Sequence, residues 1–292
     1  VAGESSSGGD ASGSGAFSGD FRGPVATFGV DAGGATSLDV VSKTTAGALD
    51  DVSVQVGAVS GPGDEPTLTL LFRGETVALD LDAATSAALA AGLIDEQSVQ
   101  ATAGLSNWDA RLLKFNLETS PEYSRLLMFV QTPTAGGLAL NAGAFAYGAD
   151  DIDMPTTGTA TYDTGVAGVY LTSAAATDFT EFFSRADVAV HFGNGTVSAD
   201  FTDVDFLDAT GAVVETGPGG IDFGLDLNAT ITGDDFAGTM LATGAAMTGT
   251  VEGDFYGPPG RSPTDIAGAF GIEGAGGVAI GGFQGVCTCL SP

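Results

Sequence analysis

The sequence holds a single histidine, His191, the residue type most used as a catalytic base or metal ligand. A Ser-His-Asp triad would have to use it. No Gly-x-Ser-x-Gly elbow is present to present a nucleophile, however. In an extended segment Val190 and Phe192 share one face and His191 takes the other, which sets the imidazole outside a core. Three roles stay open for it: a structural surface residue, an axial ligand to haem or a metal, and a catalytic base. As a haem ligand it would need a second donor, and Tyr147, Tyr162 and Tyr256 are the candidates.

The sulfur chemistry lies at the other end of the chain, in Cys287-Thr-Cys289. On an extended strand the two sulfurs point the same way, with Cα atoms about 6–7 Å apart. A disulfide requires about 4.4–6.8 Å and suitable Cβ vectors. An internal bridge therefore needs a local bend; a cross-link to another copy and a metal or redox site are the alternatives. Zinc would need two more good ligands, which one histidine cannot supply. Two aspartate groups, Asp150, Asp151 and Asp153, and Asp200, Asp203, Asp205 and Asp208, have the oxygen-donor character that Ca²⁺ prefers. They do not follow the EF-hand loop spacing, so a solvated acidic rim is the plainer reading. Trp108, Phe115 and Tyr123 read as core or cover residues. No P-loop, His-Glu-x-x-His or dinucleotide fingerprint occurs, and no motif specifies haem or calcium.

The elements that must position these residues are strands. The 292 residues hold 46 glycines, 43% apolar residues, eight Lys or Arg and 37 Asp or Glu, for a net charge of −29. The apolar share is enough for a sizeable core. The charge excludes nucleic acid and anionic membranes as partners and suits a secreted or surface-exposed protein after signal-peptide removal. No run of 18 apolar residues exists to span a membrane as a helix.

Residues 1–15, rich in Ser and Gly, read as a flexible leader. Short period-2 segments then follow from residue 16, with a hairpin about Arg73-Gly74. The alanine-rich stretch 82–93 reads as one short helix, capped by Asp82 and ended near Gly92. The acids and proline of 148–155 mark a boundary. Beyond it about eight short strands with turn signals predict a closed antiparallel barrel, which leaves no edge to aggregate. The fold expected is all-β: an N-terminal β-rich, handle-like domain over 16–148, an eight-stranded barrel over 149–286, and a Cys-x-Cys tail over 287–292. The stretch 249–270 supplies closing hairpins of that barrel, with Val251, Phe255, Ile266 and Phe270 directed inward.

Four motifs in order carry a resemblance. Met154-Pro-Thr-Thr-Gly-Thr-Ala-Thr-Tyr162 resembles the opening of the barrel in the transferrin-binding protein B superfamily of Gram-negative surface lipoproteins. Val190-His-Phe-Gly-Asn-Gly-Thr-Val197 is similar to its Val-Asp-Phe-Gly-x-Gly-Thr strand and turn, with His191 where the family has an acid. Gly233-Asp-Asp-Phe-Ala-Gly238 and the stretch 249–270 are similar to its closing hairpins. The likeness spans about 143–286. That superfamily also includes factor H-binding protein and hemophilin-like haem carriers. The resemblance implies non-catalytic binding of a protein or of a haem- or iron-related ligand. No counterpart of the separate lobe that carries transferrin binding is found, and no lipidated cysteine stands at the start. An alternative expectation is a structural subunit of an extracellular filament or matrix, joined to other copies by addition of the leader as a strand or by Cys287 and Cys289.

Overall fold

The computed structural model describes residues 19–30, 36–41, 52–57, 68–80, 84–89, 94–117, 121–134, 140–172, 179–208 and 212–288. The proposed leader and Cys289 lie outside them. Among the described residues eleven strands precede residue 149: β1 (Gly19–Phe21), β2 (Val25–Val30), β3 (Thr36–Val41), β4 (Val52–Val56), β5 (Leu68–Phe72), β6 (Glu75–Leu79), β7 (Thr85–Leu89), β8 (Ile94–Ala103), β9 (Ser106–Phe115), β10 (Ser124–Pro133) and β11 (Leu140–Gly148). They form two antiparallel sheets, ordered β1-β4-β5-β6 and β3-β2-β11-β10-β9-β8-β7.

The barrel begins with β12 (Thr159–Leu171), β13 (Thr180–His191), β14 (Thr196–Phe201), β15 (Asp205–Leu207) and β16 (Val213–Val214). It continues with β17 (Gly224–Thr232), β18 (Asp235–Thr243), β19 (Met247–Tyr256), β20 (Asp265–Gly274) and β21 (Gly277–Cys287). Strands β12-β21-β20-β19-β18-β17-β14-β13 run side by side, and β12 pairs again with β13, closing an eight-stranded ring. The short β15 and β16 extend the sheet beyond β13.

Period 2 decides what each strand buries. Inside the ring, Tyr162, Val166, Phe182, Val188, Leu227, Val251, Phe255, Ile266, Phe270 and Phe283 form one continuous core. Its aromatic rings meet in two groups. Tyr170, Phe182, Phe206 and Phe223 make one, and Tyr162, Phe236, Phe255 and Phe283 the other. Gly253 is flat against Phe236: a Cβ there would lie 2.0 Å from the ring's Cζ. Gly268 makes room for Phe283 in the same way, whereas Gly249 lies against the Gly271 carbonyl of the next strand.

The seven-stranded sheet is buried on both faces. One face presents Val99, Trp108, Leu127, Phe129 and Phe145 to the four-stranded sheet, which answers with Val54, Leu70, Phe72 and Leu79. The other face lies on the barrel wall. Leu113, Phe115, Leu126 and Ala146 meet Ala167, Phe183, Tyr256 and Ala267. Ala26, Phe28, Ala142 and Ala144 meet Val169, Leu171, Ala269 and Ile280. Alternate residues of β10 and β11 therefore serve different cores.

Two expectations are corrected. The stretch 82–93 is not a helix where it is described: Thr85–Leu89 is a strand paired antiparallel with β8, Ala87 opposite Glu96. Alanine's helix preference is worth a fraction of a kcal/mol per residue, and strand pairing at the end of a large sheet overrides it. Second, the segments 157–163 and 168–172, which read as two separate short strands from alternation, belong to one strand over Thr159–Leu171. Thirteen residues here are almost all buried, inside or against the sheet, so polar alternation is lost.

Candidate functional site

The residues singled out from sequence occupy separate places. His191 is exposed at the end of β13, where it pairs with Thr159 and Thr196. Tyr162 is inside the barrel, against Phe255, its hydroxyl donating to the Pro263 carbonyl at 3.4 Å. Tyr256 is buried on the outer wall, among the residues that hold the sheet to the barrel. Its hydroxyl donates to Asp254 Oδ2 at 3.3 Å, and burial together with Asp254 holds its pKa well above the usual phenol range. Tyr147 faces the four-stranded sheet, stacked on Phe145. The fold does not bring these four side chains together.

Asp150, Asp151 and Asp153 lie in the link between the sheets and the barrel, and their backbone is tied to the 258–261 turn. Gly260 N–H donates to the Asp151 carbonyl at 2.9 Å, and Asp153 N–H donates to the Arg261 carbonyl at 2.8 Å. Asp203 lies in the β14–β15 connection, and Asp205 opens β15. Burial, then Glu215 and Asp203, raise the Asp205 carboxyl above its ordinary value. Among the described residues no three His, Cys, Asp or Glu side chains converge as a metal site. Cys287 ends β21 nearly buried and is not a free thiol; Cys289 lies outside the described residues.

What the fold does bring together is a cleft between the seven-stranded sheet and the barrel. Its walls are Leu113, Met128 and Val130 from the sheet and Val169, Phe179 and Phe183 from the barrel side. Its cavity volume is small, about 40 Å³. Four charged side chains gather in it. Arg111 Nη1 bonds Glu181 of β13, the contact that joins sheet to barrel. The same nitrogen lies 3.6 Å from Glu96 Oε2, and Nε lies 3.4 Å from Asp109 Oδ1.

Burial is costly to ions, and the cluster shows it. The Glu96 side chain is 9% exposed, and its Oε2 has no hydrogen-bond donor. Burial raises its carboxyl above the usual range, Arg111 pulls it back, and Glu181 and Asp109 push it up further. Burial works against the Arg111 charge, but Glu181, Glu96 and Asp109 together outweigh it and hold the proton more tightly than usual. None of these four residues was singled out from sequence. They span residues 96–181, and the one available signal was the rarity of cations, which makes each arginine worth asking about.

A second polar group clamps the same two bodies elsewhere. Asp265 Oδ2, at the start of β20, accepts Tyr123 N–H at 2.8 Å, Ser124 N–H at 3.0 Å and the Ser124 hydroxyl at 3.1 Å. Gln284 Nε2 donates to the Ser124 carbonyl at 2.6 Å. These bonds fix the first residue of β10 to two barrel strands.

Residues 154–286 match the family described as the C-lobe and N-lobe beta barrels of Tf-binding protein B. The C-terminal half therefore carries a transferrin-binding protein B-like barrel domain, as the four motifs implied. Among solved structures, intact Ap-TbpB, with its N and C lobes, is 17% identical at a TM-score of 0.44, with 90% of this chain and 46% of that chain covered. The N-lobe domain of lactoferrin-binding protein B of Moraxella bovis is 15% identical at 0.37, with 60% and 79% covered. A surface lipoprotein is 13% identical at 0.39, with 80% and 97% covered. The chain spans less than half the length of intact Ap-TbpB. No curated protein matches the sequence. No helix of the described residues is long and apolar enough to cross a membrane.

Proposed function

We propose that this chain is a non-catalytic binding protein of the outer cell surface, which takes a protein partner on its exterior. The observation that carries this is the filled barrel. Small eight-stranded barrels either pack their interior or hold one ligand, and here aromatic and aliphatic side chains pack through the ring. Binding is then the work of the outer faces, the loops and the cleft against the sheet. Residues 16–148 act in this reading as a handle-like domain docked on a barrel of 149–286. The exposed position of His191, the one imidazole a triad could use, supports a role other than catalysis. A haem site built from His191, Tyr162 and Tyr256 draws no support from their separate placement. The filament alternative depends on the leader and on Cys289, and no observation favours it.

Relatives of the barrel are named for binding transferrin and lactoferrin, so those proteins head the test. Surface plasmon resonance of the full chain against transferrin, lactoferrin and a set of serum proteins should show saturable binding to at least one. Haem titration runs beside it. A stoichiometric Soret shift with no protein bound would overturn the reading in favour of a small-ligand carrier.

A further inference from the structure

We propose that the cleft between the sheet and the barrel receives a lysine side chain of a partner protein, with its ammonium among Glu96, Asp109 and Glu181. The inference rests on the reading of this chain as a binder of proteins and names the chemistry its cleft selects.

Three observations carry it. First, the charges do not balance: three carboxylates surround one guanidinium. Second, Glu96 is nine-tenths buried and its Oε2 has no hydrogen-bond donor, although the chain could have placed an apolar residue there. A buried acceptor without a donor is costly, and a second cation entering the cleft relieves that cost. Third, the walls are aliphatic and aromatic, formed by Met128, Val130, Val169 and Phe179. An amine on a methylene stem meets both requirements, because the stem packs on the walls while the head stays with the carboxylates. A bare metal ion would find no stem contact on the apolar walls. A phosphate or carboxylate ligand would meet three like charges.

The test uses the full chain, titrated calorimetrically at about 0.15 M salt to screen the general acidity of the surface. The probes are a capped Ala-Lys-Ala peptide, its norleucine counterpart, n-hexylamine and n-hexanol. The expected result is one-to-one binding of the lysine peptide and of hexylamine, each about tenfold or more tighter than its uncharged counterpart. Glu181→Gln and Glu96→Gln should each weaken it, whereas Glu273→Gln, an exposed acid at the far end of β20, should not. Should Glu96→Gln fail to fold, Glu181→Gln at the exposed mouth decides alone. Equal binding of charged and uncharged probes overturns the proposal, as does equal weakening by Glu273→Gln. Binding of hexylamine with exclusion of the peptide overturns the protein source. Partner binding that survives Glu181→Gln leaves the broader reading standing and removes this one.

Discussion

Gly165 shows how tightly single residues are constrained where the sheet meets the barrel. It lies on the outer face of β12 beneath Phe115, and a Cβ there would stand 2.1 Å from the ring's Cδ1. Gly282, on β21, has Leu126 at 2.3 Å in the same way. Both are β-strand glycines that let a large side chain of the sheet lie directly on barrel backbone. Gly165→Ala should therefore cost about 1–3 kcal/mol through overpacking. The measurement is a lowered urea midpoint with an unchanged slope. A neutral effect would mean that Phe115 can move aside and that the contact is looser than it looks. By contrast Phe115→Ala opens a cavity at a fully buried ring, and its expected cost is larger, about 3–5 kcal/mol.

At the scale of elements, the attachment of β10 to β20 and β21 is the contact with most to lose. Asp265→Ala leaves the backbone N–H groups of Tyr123 and Ser124 without their acceptor, a loss of about 1–3 kcal/mol per group. Amide exchange at Ser124 should quicken with the fall in stability. Asp265→Asn, which keeps an oxygen acceptor, should cost less. The elements also show what could be read from the chain beforehand. Barrel strands such as Leu225, Leu227 and Ala229 announced themselves, because one face meets side chains and the other meets water. Strand β7 did not, since alanines look helical until a neighbouring strand is known. Nor did β8, where Ile94, Val99 and Ala101 are spread among polar residues. Strand β12 is hard to read as one unit because burial on both sides erases the polar half of its pattern. The cleft was not legible at all. It exists only where Glu96, Arg111 and Glu181, far apart in sequence, meet across two bodies.

For the molecule as a whole, acidity is the governing quantity. Burial raises the carboxyl pKa of Glu96, Asp205, Glu252 and Asp265 above the ordinary values of 4.5 for glutamate and 3.8 for aspartate. A raised folded value means that the folded chain holds protons which the unfolded chain has released. Stability from these groups is then fully present below the ordinary values and is lost as pH rises through the raised ones. The melting temperature should climb as pH falls from 7 toward 5, assisted by relief of the −29 charge. A steady decline over that window in circular dichroism melts would contradict it. Added salt at pH 7 should also raise the melting temperature by screening like charges. Because one sheet is shared by two cores, the sheets and barrel should unfold in a single transition, whereas residues 154–286 alone would expose Val169, Leu171 and Ile280 and associate.

The ring closes through β12, which holds β21 on one side and β13 on the other. A chain emerging from a ribosome or a translocation channel thus presents the first staves of the barrel more than a hundred residues before the last arrives. Until then the wall that receives the sheet is incomplete, and the apolar faces of β10 and β11 have nothing to lie on. The ring therefore cannot close until its last strand, β21, has arrived as far as Cys287.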